Sequence, residues 1–188
     1  MPTPEKTSLD AIVAAGRDLL EADGRQGLTM QGVAARVGVR APSLYKRIEN
    51  RAALLAAVAG ATVDDLAARL EATDGSIEQL ARCYRMFARN RPEGFRLLHS
   101  VQAPPDAGLV RAAGPVLRAA RELVGEREAL DAARLLTAWV TGFIEMELSG
   151  AFRLGGDVDH AFEYGLTGMR RALTGGESGQ GAQGGPAV

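Results

Sequence analysis

The sequence predicts an all-α fold of about nine helices, a three-helix N-terminal unit built around a helix-turn-helix followed by a larger helical domain. Three observations carry this. Alanine, leucine and arginine are abundant and β-branched runs are few, which favours helix. Apolar residues recur at three- and four-residue spacing through most of the chain, and no Asn-Gly or Asp-Gly turn joins two alternating apolar segments as a hairpin would require. Residues with helix-start and helix-stop chemistry also punctuate these periodic stretches at regular intervals.

The first helix is expected from Ser8 to about Ala22, with Ile12, Val13, Leu19 and Leu20 inward and Asp23-Gly24 ending it. Thr29 can cap a second, short helix carrying Val33, Ala34 and Val37, and Gly38 is the small residue its tight end needs. A third helix begins near Ala41. Pro42 sits in the first turn, where its missing N–H costs nothing, and Leu44 and Ile48 face inward at i, i+4. That leaves Arg40, Ser43, Tyr45, Lys46, Arg47 and, just beyond, Arg51 outward. Between residues 25 and 51 six basic residues (Arg25, Arg36, Arg40, Lys46, Arg47, Arg51) face one acid, Glu49, in a chain whose formal charge is −1. A basic face confined to one place on a near-neutral chain points to phosphate binding there.

Asn50 then caps a long fourth helix to about Ala72, with Leu54, Leu55, Val58, Leu66 and Leu70 at helical period. Ser76 and Gln79 form a capping-box pattern for a fifth helix ending near Asn90. Pro92 starts a sixth, which Pro104-Pro105 should stop. The seventh, about 106 to 124, carries Pro115 in its middle and should kink there. The eighth, about 128 to 152, holds Leu135, Leu136, Trp139, Val140, Phe143 and Ile144 and is apolar on nearly every side. So small a domain has too few helices to cover it, which calls for a second copy of the chain. The ninth, Asp157 to Leu173, supports this with an apolar stripe and with Gly165 and Gly168, so a homodimer through helices eight and nine is expected as a four-helix bundle. Residues 174–188 cannot bury apolar surface and are expected to be a disordered tail. The domain division is therefore 1–54, 55–173 and 174–188.

The run from Gly38 to Leu55, Gly-Val-Arg-Ala-Pro-Ser-Leu-Tyr-Lys-Arg-Ile-Glu-Asn-Arg-Ala-Ala-Leu-Leu, closely resembles the DNA-binding domain of the TetR family of transcriptional regulators. The resemblance covers about the first third of the chain. It implies a recognition helix at about Ala41 to Arg47, phosphate contacts from Tyr45 and Arg51, and positions facing bases or backbone at Gln31, Arg40, Ala41, Ser43, Lys46 and Arg47. Thr29 and Pro42 complete the expected interface as the residues that start its two helices. Two departures are chemically mild: Ile48 stands where phenylalanine is frequent and Arg51 where lysine is. The C-terminal half resembles a branch of the family carrying His-Gly-Phe, here Thr141-Gly142-Phe143-Ile144-Glu145, with Thr141 in the histidine's place.

This resemblance implies a homodimer that binds a palindromic double-stranded operator, represses by default, and is released by a small-molecule effector. Tyr84, Phe87, Phe95, Leu98, His99, Trp139 and Phe143 fall on helical spacings in the fifth, sixth and eighth helices and are the expected pocket, although rings at such spacing also serve as ordinary core. Two other readings stay open. One is a small-molecule-binding protein or enzyme with a vestigial N-terminal unit, against which the outward Lys46, Arg47 and Arg51 count; the other is an activator of the same fold. No phosphate-loop, nucleophile-elbow or zinc-ligand pattern supports catalysis, and no cofactor is expected. Asp157, Asp159 and His160 have metal-ligand chemistry but are better read as a helix cap. The lone Cys83 excludes an internal disulfide and suits a reducing cytoplasm, and no apolar run is long enough to span a membrane.

Overall fold

A computed structural model describes residues 8–100 and 106–175. Among these the protein is all-helical: α1 (Leu9–Gly27), α2 (Met30–Val37), α3 (Ala41–Leu44), α4 (Arg51–Glu71), α5 (Ile77–Asn90), α6 (Pro92–Leu98), α7 (Asp106–Val124), α8 (Ala129–Leu148) and α9 (Val158–Thr174). The helices form two packing units. Of the described residues, one takes 8–73 together with 83–100 and 106–114, the other 74–82 together with 115–175. The expected functional border at residue 54 is a different division, since α4 lies whole in the first unit.

The first unit closes around Ile12, Leu20, Leu28, Val33, Leu44, Leu54 and Val58, none more than 1% exposed, and α6 adds Leu97 to the same core. Gly16 of α1 faces α4 so closely that a Cβ there would meet Val58 Cγ2 at 2.8 Å. A charged cluster seals the edge of this packing: Arg17 Nη2 donates to Asp65 Oδ2 at 2.5 Å, and Arg69 Nε to Asp65 Oδ1 at 2.8 Å. Burial alone would raise the Asp65 pKa, but the hydrogen bonds from Arg69 and Arg17 outweigh it and hold the carboxyl below its usual range.

α6 is fastened to α1 from a distance. Its N-cap residue, Arg91, supplies no capping side chain, so the first N–H groups need an acceptor from elsewhere. Glu21 of α1 provides it, Oε2 accepting from Glu93 N at 3.1 Å and Oε1 from Gly94 N at 2.9 Å.

The second unit is built differently. One small cluster in it, Ala120, Ala132 and Ala133, is filled out by Val116, Leu117, Val124 and Leu173, and Leu136, Val140, Ile144 and Leu166 are buried besides. Beside it lies a ring group in which Phe162, fully buried, stacks on Trp139 at 5.5 Å and meets Phe143 edge-on at 5.1 Å. Gly165 is what lets Trp139 in, because a Cβ there would fall 2.3 Å from Trp139 Cζ2. Arg82 grips Glu163 of α9 with two parallel bonds, 2.8 and 2.7 Å.

Several expected boundaries move. α1 breaks at Gly24 as the Asp23-Gly24 pair predicts, its φ of 67° and ψ of −174° being non-helical, but one further turn beyond the break carries the element to Gly27. α6 stops at Leu98, where Ser100 turns back and donates both its N–H and its hydroxyl to the Leu97 carbonyl; Pro104-Pro105 lie outside the described residues. α8 ends at Leu148 rather than near Phe152. Gly150 adopts φ 67° and Ala151 N reaches back to Met146 O at 2.9 Å, so the backbone satisfies its last carbonyls and leaves the helix. α7 runs through Pro115, at the border of the two units. The tail beyond Gly175 and residues 1–7 also lie outside the described residues.

Candidate nucleic-acid interface

Local chemistry builds the reading unit. Thr29 Oγ1 accepts from Gly32 N at 3.0 Å and starts α2. Gly38 ends it at φ 79°, ψ 34°, with its own N–H on Ala34 O and Ala35 O and that of Val39 on Ala34 O. A side chain at Gly38 would have open space but not this backbone conformation. The chain then turns into α3, with Pro42 in its first turn.

The α-helical part of this second element is shorter than the expected Ala41–Arg47. It covers Ala41–Leu44, and Tyr45–Arg47 follow as a hydrogen-bonded turn in which Arg47 N and Ile48 N both donate to Leu44 O, at 2.8 and 2.9 Å. Two buried residues anchor the element. Leu44 is 0% exposed and Ile48 6%, while Arg40, Pro42, Tyr45, Lys46 and Arg47 are exposed and Ala41 and Ser43 half-buried. Thr29 and Gln31, at the start of α2, are exposed as well. Asn50 Oδ1 accepts from Ala53 N at 2.9 Å and begins α4, so Arg51 stands in the first turn of that helix. There Arg51 Nε donates to Leu28 O at 2.8 Å and Nη2 to Arg25 O at 2.5 Å. The spacing of 23 and 26 residues puts these partners beyond any periodicity argument.

The seven aromatic and apolar residues expected to form a pocket fall into two groups. Tyr84, Phe87, Phe95, Leu98 and His99 belong to the first unit, Trp139 and Phe143 to the second. In the first, the Tyr84 hydroxyl and His99 Nε2 share a 2.7 Å hydrogen bond, and Phe95, fully buried, lies 5.4 Å from the Tyr84 ring and 4.8 Å from that of His99. Phe87 and Leu98 are buried too, and Phe87 alone of the five borders a cavity of about 700 Å³, whose other walls are Asp18, Glu21, Ala22, Arg36, Arg69, Asn90 and Arg91. In the second unit, Trp139 and Phe143 pack at 5.9 Å and Phe143 also meets Phe152 at 4.9 Å.

Asp157 accepts from Asp159 N and His160 N at 2.8 and 3.2 Å, the helix-cap role of the Asp157-His160 group. Among the described residues no three metal-binding side chains come together. Burial pushes the Cys83 thiol pKa up against a smaller downward pull from Arg69, which keeps it a protonated packing residue. Sequence reasoning missed Glu21. The signal for it was indirect: Arg91-Pro92-Glu93-Gly94 begins a helix without a capping side chain of its own.

A short exposed helix, basic on its outer side and pinned by a buried leucine and isoleucine against a preceding helix, defines a helix-turn-helix DNA-binding protein. The sequence matches the family description "Bacterial regulatory proteins, tetR family" over residues 12–58 and "Tetracyclin repressor-like, C-terminal domain" over residues 77–169. The chain belongs to the TetR family of transcriptional regulators. It is 28% identical over 160 residues to an uncharacterised helix-turn-helix regulator of Mycobacterium tuberculosis, 78% of this chain and 73% of that one. It is 32% identical over 87 residues to the class D tetracycline repressor of Escherichia coli, 46% of this chain but 37% of the repressor. Among solved structures, a tetracycline-repressor variant of Acinetobacter baumannii in complex with minocycline has a TM-score of 0.66 at 26% identity, over 91% of this chain and 98% of that one. A Rhodococcus protein of unknown function shares the fold with a TM-score of 0.77 at 23% identity, over 92% and 100%. No helix among the described residues is long and apolar enough to cross a membrane.

Proposed function

We propose that the chain is a homodimeric repressor that holds a palindromic double-stranded operator and releases it when a small molecule binds. The observation that supports this best is the division of labour on one short element: Leu44 and Ile48 are buried, while Arg40, Tyr45, Lys46 and Arg47 stand exposed beside them. Tyr45 and Arg51 are assigned to phosphate. Arg40, Lys46 and Arg47, with Gln31, Ala41 and Ser43, are assigned to base edges and nearby backbone.

Dimerisation through α8 and α9 is supported by what a single chain leaves uncovered. Leu135 and Met146 on α8 are 50% and 47% exposed, Tyr164 on α9 is 77% exposed, and a side chain added at Gly168 would meet nothing within 4 Å. The effector is assigned to the first-unit group of the expected pocket, Tyr84, Phe87, Phe95, Leu98 and His99. Their chemistry suits a largely apolar, aromatic compound with one or two polar atoms for Tyr84 or His99. An effector that favours the conformer with wrongly spaced reading helices weakens operator binding by the same factor by which operator weakens effector binding.

Selection of bound sequences from a random double-stranded DNA pool tests the reading. The expected product is one half-site repeated in inverted orientation, its centres about one helical turn or a small multiple apart. Recovery of no sequence, or of a solitary half-site, overturns the operator assignment.

A further inference from the structure

Arg51 donates to two backbone carbonyls far away in the chain. α1 ends awkwardly. Gly24 kinks it, Arg25, Gln26 and Gly27 form its last turn, and Leu28 leaves the helix at φ −72°, ψ 89°. The carbonyls of such an end have no partner within their own helix. Two of them, Arg25 O and Leu28 O, are taken by the guanidinium of Arg51 from the first turn of α4. A planar guanidinium held at two of its nitrogens is fixed in orientation, which a lysine ammonium on a flexible stem cannot reproduce.

What Arg51 holds is the short connection into α2. Leu28 is 0% exposed, so its side chain is set by the core while its carbonyl is set by Arg51. The next residue, Thr29, caps α2, and Gln31 lies exposed two residues further on. We infer that Arg51 is a positioning residue for the DNA-facing start of α2: it ties the α1–α2 connection to the first turn of α4 and so fixes where Thr29 and Gln31 stand. The position of Gln31 then depends on that of α4.

The same side chain keeps capacity for DNA. An arginine has five N–H donors, and the two carbonyls engage two of its three nitrogens. Neither acceptor is charged, and among the described residues no carboxylate pairs with Arg51, so its positive charge is uncompensated at an exposed site. Positioning and phosphate contact are therefore compatible in one residue. The inference rests on the proposed DNA face and adds to it a task that charge alone does not perform.

The variant that separates the two tasks is Arg51→Lys, which keeps the charge and loses the paired carbonyl grip. In the DNA-free protein, amide hydrogen exchange should quicken at Leu28–Gly32 and stay unchanged in the rest of the first unit. Operator affinity should fall about tenfold at constant salt, on the scale of one or two lost hydrogen bonds, while its salt slope is kept. Arg51→Ala should lose affinity and also flatten the slope by about one phosphate contact. The positioning role has a further signature: Gln31→Ala should weaken operator binding less in the Arg51→Lys background than alone, because Gln31 is already misplaced there. An Arg51→Lys protein with unchanged exchange, or with exchange raised throughout the unit, overturns the inference. So does local exchange without loss of affinity in a protein whose Lys46→Ala and Arg47→Ala variants do lose it. If those two variants bind the operator normally, the failure lies with the proposed DNA face instead.

Discussion

The core of the first unit beneath the reading element is closed, whereas α8 and α9 of the second unit leave large apolar side chains exposed beside a buried set. Around α1, α2 and α4 the core consists of large branched side chains with almost no exposure, and polar links such as Arg17–Asp65–Arg69 run between helices at its edge. On α8 and α9 Leu136, Val140, Ile144, Phe162 and Leu166 are buried, while Leu130, Leu135, Met146 and Tyr164 of the same two helices remain exposed. A reading head must hold its side chains in fixed register before it meets DNA, and a closed core does that. A unit that leaves large apolar side chains on two adjacent helices has surface left to cover.

The sharpest way to break this contrast is truncation at matched positions. Leu44→Ala, at a fully buried site under the reading element, should cost about 2 to 5 kcal/mol and lower the melting temperature steeply. Leu135→Ala, half exposed on α8, should cost well under about 1 kcal/mol in dilute monomer and show itself in sedimentation as weaker self-association. Equal losses of stability at the two sites would mean that the second unit is as closed as the first.

Two glycines of α9 sharpen the comparison within the second unit. Gly165→Ala drives a methyl into Trp139 and should cost about 1 to 3 kcal/mol in thermal unfolding of the single chain. At Gly168 an added Cβ has open space within 4 Å, so Gly168→Arg should leave the folded monomer largely unharmed while dimerisation fails. An unchanged dimer for Gly168→Arg would take that face of α9 out of the interface.

Smaller effects are expected from the polar links of the first unit. Glu21→Ala removes the cap of α6 and should cost about 0.5 to 2 kcal/mol, seen as faster amide exchange at Glu93 and Gly94 before any global loss. The smallest is a pH effect at Asp65. Its folded pKa lies below the unfolded value, near 3.8, so its contribution is full above that value and is lost as the pH falls through the depressed folded pKa. Asp65→Asn should therefore flatten the acid end of the stability profile and leave the neutral region nearly parallel to wild type.

What the sequence made legible was local. Thr29, Asn50 and Asp157 act on N–H groups two or three residues away, and each caps where its position predicts. The inward pair Leu44 and Ile48 is legible for the same reason, since helical spacing fixes which side of an element is apolar. The end of α8 was misread because the apolar pattern continues through Ala151 and Phe152, and the deciding residue was the glycine before them, whose positive φ the pattern does not record. Spacing also assigns a ring to a helix face without saying which neighbour that face meets. That is why Phe95 and Phe143 read as one group in the sequence and belong to different units in the structure. The carbonyl partners of Arg51 and the reach of Glu21 to α6 join residues far apart in the chain, where neither period nor capping rules apply.

The reach of Glu21 has a consequence for anyone who would exchange parts between regulators of this family. A DNA-binding head cut near residue 54 takes Glu21 with it but leaves behind the two N–H groups that donate to its carboxylate, and it leaves behind Leu97, a wall of the head's own core. Grafted onto a foreign body, this head would need a sixth helix that begins without its own cap and offers an apolar residue in the place of Leu97. The transplantable unit is thus discontinuous, and a chimera built at a single junction would inherit the recognition residues without the frame that aims them.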